Sequence, residues 1–286
     1  MAKDNSAEQR RNKARENARQ IAAAQAKKEK TAKVILWSGI AVVVVVVAAV
    51  VGVLIFQQSK PGLTPANFVA GGVSIAKGNT VVQPKSMPEG EKSDLPTPTE
   101  AGAKENAATV TVYLDFQCPG CKAFEEGNSA TLMKLVEEGT VVLEYKPIAI
   151  LDRFSGGNEY STRSANFAAC VIDSQPDVTA ELIPALFAQQ PAEGTEGRTD
   201  EELLKVAKDV GVDTSAPLKS DPEQTVEQCV TDQSFKKHIE TTTQEALDSG
   251  VEATPWVLIN GKHTEKTGDP QSLTVEILKA TGEFKG

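Results

Sequence analysis

Two cysteines separated by two residues, Cys118-Pro119-Gly120-Cys121, close a strand-like run at 109–116 and open an amphipathic stretch at 122–138. Paired thiols at a strand-to-helix junction form a dithiol that can cycle to a disulfide. A helix N-terminus carries partial positive charge, which favours a thiolate on the first cysteine. Cys118 is therefore the expected nucleophile, and Cys121 the thiol that resolves its mixed disulfides. Pro119 and Gly120 set no competing side chain over the sulfurs, and in-line attack by a thiolate needs that access. The alternatives are an inert disulfide or half of a zinc site. Zinc would need two further ligands, and Cys170, Cys229, His238 and His263 contain no second close pair.

The elements that must position this dithiol follow from the pattern around it. A strand at 109–116, a helix at about 119–138 and a strand at 140–150 make a β-α-β unit, which implies a parallel pair with a right-handed crossover. Helical segments follow at roughly 158–173, 177–189, 199–210 and 222–248, with Thr199 as an N-cap and Gly211 as a C-cap. Thr254-Pro255 then opens a strand that ends in an Asn260-Gly261 turn, with 262–265 as the return strand. A closing helix at 270–280 carries apolar Leu273, Ile277 and Leu278.

This order resembles the thioredoxin-like α/β fold, and more closely its DsbA-like branch with a helical insertion. The resemblance rests on Asp-Phe-Gln-Cys-Pro-Gly-Cys-Lys at 115–122 and on Gly-Val-Glu-Ala-Thr-Pro-Trp-Val-Leu-Ile-Asn-Gly at 250–261. It spans residues 108–284, with the insertion at about 152–249. It implies thiol–disulfide exchange on exported proteins, with no cofactor and no metal. It also implies a cis Thr254–Pro255 bond beside the cysteines, where Thr254 and Pro255 would meet a bound peptide. Membrane-anchored forms of this kind occur in actinobacteria, and such a source is expected. The chain departs from the family in one place: Gly120 stands where a histidine is common, so a strongly oxidising potential does not carry over.

Other residues have open roles. Cys170 and Cys229 lie in separate helical segments of the insertion. An even cysteine count in an oxidising compartment favours a structural disulfide between them, with buried free thiols or a catalytic relay as alternatives. Asp115 and Glu144 are strand acids near the site, either proton acceptors for Cys121 or solvated. His238 and His263 are expected to be solvated, and Trp256 is either core or a wall of the substrate groove.

Charge and hydropathy give the wider organisation. Residues 34–56 form an unbroken apolar run of 23 residues, which would be about 34 Å long as a helix and long enough to cross a bilayer. A cleaved signal peptide is disfavoured by the 33-residue leader and the absence of a small-residue cleavage site before Gln57. The leader 1–33 holds ten Lys/Arg against four acids, whereas the whole chain carries −9. Basic flanks remain cytoplasmic, so the expectation is one transmembrane signal anchor, N-terminus inside and the acidic part exported. Residues 57–107, rich in Pro, Gly and Lys, read as an extracytoplasmic linker with a short hairpin around Gly78-Asn79. An acidic exported part with two histidines argues against nucleic-acid binding and against a His-rich metal site.

The expected function is that of a membrane-tethered oxidoreductase that introduces disulfides into exported cysteine-containing proteins and exchanges electrons with a membrane redox partner. A reductase or isomerase on the same site is the second reading, and a tethered peptide-binding module the third.

Overall fold

The computed structural model describes residues 62–82 and 101–284, with 45, 47, 98 and 99 besides. The leader and almost all of the apolar run 34–56 lie outside the described residues, and so does the expected anchor. Among the described residues no helix is long and apolar enough to cross a membrane.

Six strands form one sheet in the order β2-β1-β4-β3-β5-β6. At its centre β3 (Ala108–Leu114) runs parallel to β4 (Val141–Pro147), and the crossover between them is α1 (Pro119–Glu137). On β3 the even-numbered residues Val110, Val112 and Leu114 are all buried. The facing residue Tyr145 of β4 meets α1 through Glu125, so this is the face that α1 covers. The odd-numbered residues Thr111 and Tyr113 lie on the other face with Glu144, Lys146 and Trp256. Period-two alternation in β3 thus places α1, and the dithiol at its start, on a defined side of the sheet.

β5 (Trp256–Ile259) pairs antiparallel with β3 and turns into β6 (Lys262–Thr264) through Asn260 and Gly261. Both turn residues have positive φ, 48° and 76°, as a tight two-residue hairpin requires. α7 (Pro270–Ala280) packs against α1, β3 and β5.

The expectation that 57–107 is a linker is corrected in part. Residues 62–82 belong to the fold. β1 (Val73–Ala76) and β2 (Thr80–Val81) form the hairpin, joined by a tight turn at Lys77–Asn79, and β1 pairs antiparallel with β4. Upstream of it, fully buried Asn67 donates from Nδ2 to the carbonyls of Ile172 (2.6 Å) and Asp173 (3.1 Å). The buried Asp173 carboxylate accepts the N–H groups of Ala66, Lys219 (2.7 Å) and Ser220 (3.1 Å). Polar composition suggested a tether, but the Asn67 amide N–H groups and the Asp173 carboxylate find their partners inside the protein, which is what permits burial.

Between β4 and β5 lies the helical insertion: α2 (Tyr160–Ser174), α3 (Thr179–Ala188), α4 (Asp200–Asp209), α5 (Val226–Asp232) and α6 (Lys236–Asp248). Nearly every residue of α2 is buried, so it is the axis of this block. Thr199 caps α4 in a capping box with Glu202, and Gly211 follows the helix with φ 87°. The single helix expected at 222–248 is two helices. Gln233 takes the left-handed conformation at φ 55°, and the Phe235 N–H is taken by the Asn166 side chain at 2.8 Å instead of continuing the helix. The sulfurs of Cys170 (α2) and Cys229 (α5) are bonded, with Cα atoms 5.9 Å apart.

Candidate active site

Cys118 is the N-cap of α1 and Pro119 its first residue, a position where proline lacks only a donor that would be unpaired anyway. Cys118 and Cys121 are both free thiols here. Cys118 is 8 % exposed and Cys121 1 %, so the two sulfurs differ in access by virtue of one helical turn. The Thr254–Pro255 peptide is cis and brings the Thr254 carbonyl to 3.1 Å from Cys118 Sγ. Cys118, Cys121, Thr254 and Pro255 therefore meet in one place, although the two pairs lie more than 130 residues apart in sequence.

Gly120 is open for a specific reason. A Cβ there would stand 3.3 Å from Pro255 Cδ and 3.5 Å from both Cys118 Sγ and the Thr254 carbonyl. Any side chain at 120 would project from between the nucleophile and the cis-proline. Glycine leaves that approach clear.

The electrostatics separate the thiols. The hydrogen bond from the Cys121 thiol brings the Cys118 pKa down to about 6 despite partial burial. The N–H groups of Cys121 and Gly120 lower it further. The thiolate of Cys118 is thus favoured well beyond that of an ordinary cysteine. Cys121 goes the other way: burial pushes its pKa well above the usual range, and the charge on Cys118 adds to this. One thiol is shifted toward ionisation and keeps some exposure; the other is shifted toward its protonated form and hidden.

Asp115 is not the solvated acid that was one of its two readings. It is fully buried, and its carboxylate accepts three backbone N–H groups, from Gln117 (2.8 Å), Ile150 (2.9 Å) and Leu151 (3.0 Å). It pins the active-site segment to the chain beyond β4, while its own N–H donates to Cys121 Sγ at 3.4 Å. Burial raises its pKa to about 6. Glu144 is on the opposite face of the sheet, bonded to Thr111 (2.7 Å) and paired with Lys146 (3.4 Å). Trp256 belongs to a small apolar cluster around Ile148, Ala246 and Val251, and His263, exposed on its outer side, stacks on it with ring centres 3.6 Å apart. His238 is not solvated. Its ring is half-buried edge-on to Phe68, and burial lowers its pKa to about 4.

The acid that sequence reasoning missed is Glu125. It lies one turn beyond Cys121 on the buried side of α1, 2 % exposed, and accepts the Tyr145 hydroxyl at 3.1 Å. The signal was present: Cys121, Phe124, Asn128 and Leu132 mark a buried stripe at helical spacing that includes 125. Burial raises the Glu125 pKa to about 7. Because the folded value exceeds the unfolded one of about 4.3, this group's stabilisation is complete below that value and is lost as pH rises through 7. Glu125→Gln should remove that loss. Denaturant titrations of both proteins at pH 5 and pH 8 should show the wild type losing about 3 kcal/mol more than the variant. Parallel pH profiles would show that Glu125 is ionised throughout.

No group of His, Cys, Asp and Glu among the described residues could hold a metal ion. A sequence search of curated proteins returns no significant match. The thioredoxin family model matches residues 94–279. Among solved structures, the disulfide bond oxidoreductase DsbG of Mycobacterium tuberculosis is 30 % identical, with a TM-score of 0.55 over 78 % of this chain and 92 % of its own. DsbA of the same organism is 29 % identical, with a TM-score of 0.54 over 74 % and 93 %. The thiol–disulfide oxidoreductase MdbA of Actinomyces oris, at 16 % identity and a TM-score of 0.54 over 78 % and 94 %, shares the fold. With a cysteine pair at the start of α1, a cis-proline opposite it and a helical block inserted before β5, the chain belongs to the thioredoxin family, as a DsbA-like thiol–disulfide oxidoreductase.

Proposed function

We propose that this enzyme introduces disulfides into exported proteins from the outer side of a cytoplasmic membrane. What supports the direction is the setting of Cys118 at the N-cap of α1, where its pKa is drawn down to about 6. A stabilised thiolate stabilises the reduced enzyme, and an enzyme stable when reduced is an oxidant.

In the forward reaction a client thiolate attacks Cys118 Sγ of the oxidised enzyme. The Cys118–Cys121 bond breaks, and Cys121 leaves as a thiolate that takes up a proton, as its buried site demands. A second client thiolate then attacks the client sulfur of the mixed disulfide, and Cys118 leaves as the thiolate its surroundings favour. The client has lost two electrons and the enzyme holds them as a dithiol. A membrane redox partner would return the site to the disulfide. Thr254 and Pro255 would hold the client backbone beside Cys118, because the proline carries no donor and the cis turn turns main-chain groups toward a bound peptide. The bond between Cys170 and Cys229 would serve as a staple within the insertion.

The reduction potential of the full chain in detergent tests the direction. An oxidase should lie toward about −120 mV; a value near −270 mV would establish a reductase instead.

Tethering rests on the 34–56 run and the basic leader. Protease added to intact spheroplasts should digest residues 57–286, and full protection would refute this topology.

A further inference from the structure

The insertion reaches the active-site segment through a side chain that the reaction above leaves unused. Gln190 follows the C-terminal end of α3, where its own N–H bonds to the Phe187 carbonyl at 3.1 Å. Its Nε2 donates to two carbonyls of the redox segment, Phe116 at 3.0 Å and Cys118 at 2.9 Å. The Cys118 carbonyl is also the acceptor of the first turn of α1, from the Lys122 N–H at 3.2 Å. One turn back on α3, Phe187 packs against Phe116 with ring centres 5.3 Å apart. The contact is reciprocal: buried Gln117 donates to the Thr195 carbonyl in the loop beyond Gln190, at 3.4 Å. Arg198 Nε donates to the Gln189 carbonyl at 2.6 Å and holds the start of that loop.

We propose that Gln190 is a positioning residue for the nucleophile: its amide fixes the backbone of Cys118 at the N-cap and draws off the negative end of that residue's own carbonyl. A carbonyl oxygen close to an anion repels it, and a donated N–H weakens the repulsion. The insertion therefore sets how well Cys118 bears charge and how readily it leaves a mixed disulfide. This rests on Cys118 being the nucleophile.

The test compares the full-length wild type with Gln190→Met, which keeps the length and stem of the side chain without a donor, and Gln190→Glu, which puts an acceptor opposite two carbonyls. Two readouts are followed in the reduced protein: thiolate absorbance against pH, and alkylation of Cys118 at mildly acidic pH. With both hydrogen bonds lost, and the one to the Cys118 carbonyl acting on the sulfur, Gln190→Met should raise the titration midpoint by about half a pH unit and slow alkylation about threefold. Gln190→Glu should move both further in the same direction. A purely mechanical role would lower the melting temperature and leave midpoint and rate at wild-type values, which would overturn the proposal. If Gln190→Glu does not fold, Gln190→Met decides alone. Wild-type protein in which Cys121 is alkylated as fast as Cys118 would overturn the nucleophile assignment itself, whatever the variants do.

Discussion

Cys118→Ser should reduce disulfide transfer to a reduced model client by about three orders of magnitude or more, the scale on which loss of a covalent nucleophile is felt. Cys121→Ser should behave differently. It leaves the more accessible sulfur, with its lowered pKa, in place and removes the more deeply buried thiol that resolves it. Mixed disulfides with clients should therefore accumulate and be visible on non-reducing gels. Accumulation in Cys118→Ser instead would exchange the two roles. Cys121→Ala, which removes the donor that a serine would keep, should also raise the pH at which Cys118 titrates, because the hydrogen bond that contributes most to the Cys118 thiolate comes from Cys121.

The second large effect belongs to stability. Cys170 and Cys229 are both fully buried and 59 residues apart in sequence. In the chain-entropy account, closing a loop of that size stabilises the fold by about 4 kcal/mol. For a domain of this size the double change Cys170→Ala, Cys229→Ala should lower the melting temperature by roughly 10 °C. No hydrogen bond links either residue to the dithiol; the Cys229 carbonyl accepts instead from Asn166 inside the insertion. The active-site potential should therefore stay where it is. A shift of the potential with little loss of stability would make this pair a relay rather than a staple.

What was legible in the sequence was whatever depends on neighbours in the chain. Alternation in 109–116, the cysteine pair at a helix start, the Asn260-Gly261 turn and the Thr199 capping box are all local signals, and each has its element in the structure. The features that stayed hidden depend on partners far away. Residues 62–72 read as tether because nothing nearby shows that Asn67 meets the end of α2, some hundred residues on. The break at Gln233 depends on Asn166, and the grip on Cys118 depends on Gln190. Glu125 was missed because Glu125-Glu126 looks like a solvated pair, and only the phase of the helix tells the buried acid from the exposed one.

The order of the strands also bears on how such an enzyme lives among its clients. Among the described residues the sheet ends at β2, two residues long, and at β6, three. Unfolded chains carry unpaired strands that add to any long, flat sheet edge, the usual start of aggregation. Here each rim offers too short a ladder to extend. A thiol–disulfide oxidoreductase with such rims makes covalent contact with a client through one sulfur without a sheet growing from that contact.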